Sequence, residues 1–194
     1  MRALAFSDLH RDLEQARRLV ERARDVDVVL CAGDLASMHH GLDETVAVLA
    51  AIETPTLLVP GNNETDEELR EACQGWAAAT VLHGEGVELA GVHVFGLGGG
   101  VPVTPWDWSF DLTEGEAASV LDRCPERAVL VVHSPPRGHV DNGLGSVAVL
   151  KSIEAKRPEF ALCGHVHECW GRESQIGATR VLNLGPAGVV LELG

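Results

Sequence analysis

Along the chain, short apolar runs alternate with segments whose apolar residues recur every three or four positions. Residues 2–6, 26–31, 56–59, 128–132 and 160–163 are rich in Val, Leu and Ala and bounded by polar residues or Gly/Pro, which predicts buried strands. Helices between them have recognisable starts. Asp12 with Gln15, Thr65 with Glu68 and Thr113 with Glu116 match the capping box, in which the first side chain bonds a free helix-terminal N–H and the second reaches back. The first helix would set Leu13, Ala16, Val20 and Ala23 on a core-facing stripe. A further helix is expected from about 146 to 157, ending before Pro158. Residues 79–101 and 178–193 have a different texture, strand-like at 81–82, 87–90, 92–97, 180–184 and 189–193 with little helix among them. The expected order is therefore βα units first, a more antiparallel meander, another βα unit and final strands. Two sheets packed together with helices outside suit that order. No repeat or linker divides the chain, so one domain over residues 1–194 is expected.

Charge narrows the partners. With 29 acidic and 15 basic residues the formal charge is −14, and no Lys/Arg run compensates it. Such a surface repels nucleic-acid backbones and anionic lipid, so neither groove-bound nucleic acid nor a membrane is an expected partner. No apolar run is long enough for a membrane span, and the N-terminus turns polar too early for a secretory signal, which reads as cytoplasmic. The five cysteines are scattered without a Cys-x-x-Cys pair; Cys31 and Cys163 sit in apolar runs and read as small buried hydrophobes.

The chemistry gathers just past the strand ends. Phe6-Ser7 leads to Asp8 and then His10; Ala32-Gly33 to Asp34; Pro60-Gly61 to Asn62; Val132 to His133; and Cys163-Gly164 to His165 and His167. The carboxyl ends of strands are where α/β sheets bind ligands. Taken singly, an Asp after a strand is more often a cap or turn former than a ligand. Five strand ends with the same chemistry are harder to dismiss. Asp and Asn offer hard oxygen and His offers imidazole nitrogen, a thiolate-free set that suits Mn, Fe, Zn, Co or Ni better than calcium or a structural zinc. Asp8 and His10 could reach one ion from a single turn, and His165 and His167 could address one ion or two neighbours. Seven ligands exceed the needs of one ion and suit two ions sharing a carboxylate.

These segments resemble the calcineurin-like metallophosphoesterase superfamily. Its five motifs appear in order as Asp8-Leu9-His10, Gly33-Asp34, Gly61-Asn62-Asn63-Glu64, His133 and Gly164-His165-Val166-His167. The stretches His133-Ser134-Pro135-Pro136-Arg137-Gly138 and Cys163-Gly164-His165-Val166-His167-Glu168 are most similar to its small stand-alone phosphoesterases, and Asn183-Leu184-Gly185 is similar to the Asn-x-Gly near the family's C-terminus. The resemblance implies a four-layer α/β sandwich, two mixed β-sheets packed together and flanked by helices. It implies that Asp8, His10 and His167 hold one metal, that Asn62, His133 and His165 hold the second, and that Asp34 bridges them. The implied activity is hydrolysis of a small phosphodiester or phosphomonoester by metal-activated hydroxide. Manganese is the first expectation for the two divalent ions. Two such ions less two aspartates leave roughly +2, enough to draw a phosphate to an acidic protein.

One position departs from the pattern. Many members have Gly-Asn-His in the third motif, where the His assists the leaving group; here Asn63 replaces it and cannot transfer a proton. General-acid help is worth about 10²–10⁴-fold, so its loss need not abolish hydrolysis of esters with good leaving groups. His39, His40, His139 or Arg137 could approach the site on loops, although His39, His40, His83 and His93 are read as non-catalytic by default. A scaffold that keeps the fold without catalysis is the competing class, and Asn63 is its support. Gly96-Leu97-Gly98-Gly99-Gly100 lacks the Lys and helix of a phosphate loop and reads as a flexible turn. Pro105-Trp106-Asp107-Trp108 could form an aromatic rim for a nucleoside or aryl ester, or could simply pack.

Overall fold

Every residue of Val28–Cys31, Val129–Val132 and Phe160–Cys163 is buried, as happens to strands covered on both faces. The computed structural model describes residues 1–194. In chain order its strands are β1 (Arg2–Phe6), β2 (Val28–Cys31), β3 (Thr56–Leu58), β4 (Ala79–Val81), β5 (Glu85–Leu89), β6 (Val92–Leu97), β7 (Val129–Val132), β8 (Phe160–Cys163), β9 (Glu173–Ile176), β10 (Thr179–Asn183) and β11 (Val189–Glu192). The helices are α1 (Leu13–Ala23), α2 (Leu42–Leu49), α3 (Asp66–Ala72), α4 (Glu114–Leu121) and α5 (Val147–Lys156).

The strands make two mixed sheets, ordered β11-β1-β2-β3-β4 and β5-β6-β7-β8-β10-β9. In the first, β1 to β4 run parallel and β11 adds antiparallel to β1. In the second, β6, β7, β8 and β10 run parallel, with β5 and β9 antiparallel at the edges. Strand alternation sorts the core into three slabs. Leu4, Phe6, Val29 and Leu58 face Ala16 and Leu19 of α1, Val46 and Leu49 of α2 and Leu69 of α3. Ala3, Ala5, Val28 and Leu30 meet Val129, Val131, Phe160 and Leu162 between the sheets. Leu130, Val132, Ala161 and Cys163 face Ala117 and Leu121 of α4 and Val149 and Ile153 of α5. The outcome is the expected helix–sheet–sheet–helix sandwich.

Local differences have local causes. Thr65 and Thr113 form complete capping boxes, but Asp12 forms half of one: it accepts from the Gln15 N–H, while its own N–H is already given to Leu9 O. The buried face of α1 is Ala16, Leu19 and Ala23, with Val20 partly buried against the same core; Leu19 is the addition to the expected stripe, and Leu13 is half-buried. The meander shrinks to the β5–β6 hairpin, because β4 leaves it to pair parallel with β3. Helix α2 carries no start signal, since its N-cap is Gly41 in a left-handed turn without a side-chain bond. Strand β9, Glu-Ser-Gln-Ile, is a polar edge that lacks the apolar pattern. The run Gly96–Gly100 is not a flexible turn. It begins inside β6 and is buried, and a Cβ on Gly98 would lie 2.3 Å from Pro60 O.

Leu30, fully buried between the sheets, gives a direct test of this slab. Leu30→Ala should lower unfolding free energy by about 2–5 kcal/mol in a urea titration. A loss comparable to that of a surface substitution would contradict the packing.

Candidate metal centre

Because β1, β2 and β3 are parallel in one sheet and β7 and β8 in the other, the five turns after them open at the carboxyl ends of their strands. All seven candidate ligands meet there. One oxygen or nitrogen from each of Asp8, His10, Asp34 and His167 falls within 4.8 Å of the others. Nε2 of His10 and Nε2 of His167 are 3.0 Å apart, and Nε2 of His10 is 3.5 Å from Asp34 Oδ2. On the other side of Asp34, Asn62 Oδ1 stands 3.1 Å from His133 Nε2 and 3.0 Å from His165 Nδ1. His133 Nε2 is 3.5 Å from Asp34 Oδ1. Thus the two carboxylate oxygens of Asp34 face two separate donor sets. Adjacent ligands on one ion, with bonds of about 2.0–2.2 Å, sit about 3 Å apart, so the spacing fits metal ions.

Neighbouring contacts aim the donor atoms. Nδ1–H of His133 donates to Ala32 O at 2.7 Å and Nδ1–H of His10 to Ala36 O at 3.1 Å, which leaves each Nε2 pointing inward. The Asn62 amide donates to Ser109 Oγ at 2.8 Å, turning its oxygen toward the imidazoles. Ser109 in turn donates to Asp111 at 2.7 Å. Asp8 accepts from the His165 N–H, from Trp170 Nε1 and from the Ser7 hydroxyl. Asn183 donates to Gly164 O and Val166 O, fixing the turn that carries His165 and His167.

Glu64 closes the third motif, and its role is positional. Fully buried, it accepts N–H bonds from Asp34, Leu35, Ala36 and Gly61. It thereby fastens the turn of Asp34 to the turn of Asn62. These turns are strained: Asp8 (φ 56°), His10 (44°), Asp34 (60°) and His165 (68°) all lie in the left-handed region. Side chains held there cost about 1–3 kcal/mol each and concentrate at functional sites. Close approach excludes side chains at two glycines. A Cβ on Gly33 would lie 2.4 Å from Gly61 N, and one on Gly61 would lie 1.9 Å from Asp34 Oδ1.

Electrostatics favour positive charge at the centre of the cluster. Burial disfavours the His133 imidazolium, but the Asp34 and Asp8 carboxylates outweigh it and raise its pKa to about 9. Burial likewise opposes the Asp34 charge, yet His133, His10 and the Asn63 N–H hold its pKa well below the usual range. Asp8 is pushed up, by burial first and by Asp34 next. Burial and the charge of His133 lower His165 to about 4, so that it stays a neutral donor. A divalent cation would satisfy the same demand for positive charge.

The remaining candidates separate clearly. Asn63 donates from both its backbone N–H and its side-chain amide to Asp34, at 2.9 and 2.8 Å, and accepts from the Met38 N–H. It orients Asp34 and the 37–39 turn. Arg137 donates to Gly143 O, and His139 pairs with Ser174, so neither serves the cluster. His40 and His93 are exposed, and His83 packs against Phe110. His39 bridges the Glu68 carboxylate and the Trp108 carbonyl; burial works against its charge, but those two acceptors raise its pKa. Trp106 and Trp108 stack and, with Met38 and Leu144, line a cleft of about 600 Å³ beside His10, Asp34, Asn62 and His167. A second cleft of about 650 Å³, along residues 170–173 and 182–192, holds none of the candidate ligands.

The family model described as "Calcineurin-like phosphoesterase superfamily domain" matches residues 1–192. A search of curated protein sequences finds no match. Among solved structures, TT1561 of Thermus thermophilus is similar at TM-score 0.80 and 20% identity, over 96% of this chain and 90% of that one. A dimetal phosphatase from Danio rerio is similar at TM-score 0.67 and 14% identity, over 96% and 88%. A novel archaeal phosphodiesterase is similar at TM-score 0.60 and 17% identity, over 95% and 84%. At these identities the likeness is one of fold.

Glu64→Gln places an amide donor among four backbone donors. The variant should lose about 1–3 kcal/mol of unfolding free energy and bind Mn²⁺ about 10–100-fold more weakly by calorimetry. Wild-type metal affinity in this variant would contradict the positional role.

Proposed function

The chain belongs to the calcineurin-like phosphoesterase superfamily, and from that membership we propose that it is a dinuclear metal-dependent phosphoesterase acting on a small phosphodiester or phosphomonoester. The reading rests on one observation above all: Asp34 stands between two donor sets, one from Asp8, His10 and His167 and one from Asn62, His133 and His165. The first set would hold one ion and the second set the other, with Asp34 shared. The thiolate-free donors suit Mn, Fe, Zn, Co or Ni, and Mn is the ion proposed first. When bound, two such ions polarise a phosphoryl oxygen and lower the pKa of the water that serves as nucleophile.

The chain's own part is positional. Ala32 O and Ala36 O fix the imidazoles of His133 and His10, Ser109 fixes the Asn62 oxygen, and Asn63 and Glu64 fix Asp34 and its turn. Asn63 offers no titratable proton to a leaving group, and its amide is engaged with Asp34. That favours esters whose leaving group departs without protonation, and inclines the reading toward diesters with good leaving groups.

Metal analysis of the purified protein, followed by assay of chromogenic mono- and diesters with Mn²⁺, tests the proposal. Metal-dependent turnover, faster on diesters, is expected; bound metal without turnover of any phosphoester would favour a scaffold. Asp34→Ala should lose both ions, and a variant still holding two would refute the shared carboxylate. Asn63→His should raise monoester turnover by about 10²-fold if leaving-group protonation limits the rate. An unchanged or lower rate would place the limitation elsewhere.

A further inference from the structure

Exposed large apolar side chains are few on this protein, and three of them, Met38 (52% exposed), Trp106 (51%) and Leu144 (58%), line the cleft of the metal centre. Three such side chains gathered at one cleft, rather than scattered singly over the surface, are what a ligand-binding groove presents. Trp106 also lies nearly parallel to Trp108, with ring centroids 5.6 Å apart and planes 11° apart. Simple packing would bury such a pair, whereas half of Trp106 stays open to the cleft.

The loop carrying these rings is tied to the ligand turns. The Phe110 N–H donates to Asn62 O at 3.0 Å, Ser109 Oγ accepts from the Asn62 amide, and His39 holds the Trp108 carbonyl. The contacts that aim Asn62 therefore also fix the aromatic wall beside it. What the cleft lacks is equally informative. No Lys or Arg lines it, and Glu168 adds an acidic side chain to its wall. Away from the ligand cluster nothing there neutralises further phosphates, while the rings offer a flat face on which another ring can stack. A volume of about 600 Å³ is within the range of small-ligand sites.

We propose that Met38, Trp106, Trp108 and Leu144 form a subsite for a flat aromatic group esterified to the substrate's single phosphate, as in a nucleoside or aryl phosphoester. The proposal rests on the phosphoesterase reading above, since the phosphate must sit at the ligand cluster for the ring to reach the wall.

Three phosphonates whose C–P bond resists hydrolysis separate the possibilities: methylphosphonate, phenylphosphonate and the methylene phosphonate analogue of adenosine monophosphate. Each is titrated calorimetrically into Mn²⁺-loaded protein. The phenyl or adenosyl probe should bind about tenfold tighter than the methyl probe, and whichever gains more identifies the aryl or nucleoside source. Trp106→Ala should bring that ratio close to one, and Leu144→Ala, at an exposed position, should reduce it in part. Equal affinity for all three probes, or a preference that survives both substitutions, would overturn the subsite even if esters are hydrolysed. An aromatic preference lost in Trp106→Ala, with no turnover of any ester, would keep the subsite and remove the hydrolase reading. Failure to bind any phosphonate would remove both.

Discussion

Two carboxylates, Asp8 and Asp34, are buried at the ends of neighbouring parallel strands, 1% and 2% exposed, and much of the architecture around them answers that constraint. Buried charge is costly without compensation by hydrogen bonds and opposite charge. Here N–H bonds reach Asp8 from His165 and Trp170 and reach Asp34 from Asn63. Four imidazoles complete the surroundings. Raising His133 while lowering Asp34 is one expression of the same balance. Two cations shared through Asp34 would be a fuller one.

Meeting that constraint requires backbone that propensity disfavours. The turns after β1, β2 and β8 hold Asp8, His10, Asp34 and His165 in left-handed conformations. They persist because neighbouring turns brace one another: Asp8 N–H to Gly33 O, His10 N–H to Asp34 O, and the Glu64 carboxylate across the Asp34 and Asn62 turns. The sandwich supplies the rigid base. Apolar slabs on both faces of each sheet fix the strand ends, so the strain is borne locally by a few turns.

Much of this is legible from residue order because buried parallel strands leave a strong apolar signature and their ends are punctuated by glycine and polar ligands. The seven candidate ligands stand out in that way, and Thr65 and Thr113 announce their helices. The features that escape the sequence depend on contacts distant in the chain. Nothing around Glu64 signals that it accepts from residues 34–36, about thirty positions earlier. Ser109 and Trp170 act on Asn62 and Asp8 from loops without a motif. Gly41 begins α2 without a cap, and polar β9 lies on an edge. The glycine run at 96–100 reads as flexible by composition, yet a Cβ on Gly96, Gly98, Gly99 or Gly100 would collide with Leu82, Pro60, Leu112 or Asp111 respectively.

Central to the proposed function is that Asp34, standing between two donor sets, would join two adjacent ion sites. Anomalous diffraction from Mn²⁺-soaked crystals tests that most directly. Two peaks about 3.5–4 Å apart are predicted, one beside His10 and His167, the other beside Asn62, His133 and His165, with Asp34 touching both. A single peak, or two peaks of which one lies away from Asp34, would contradict it.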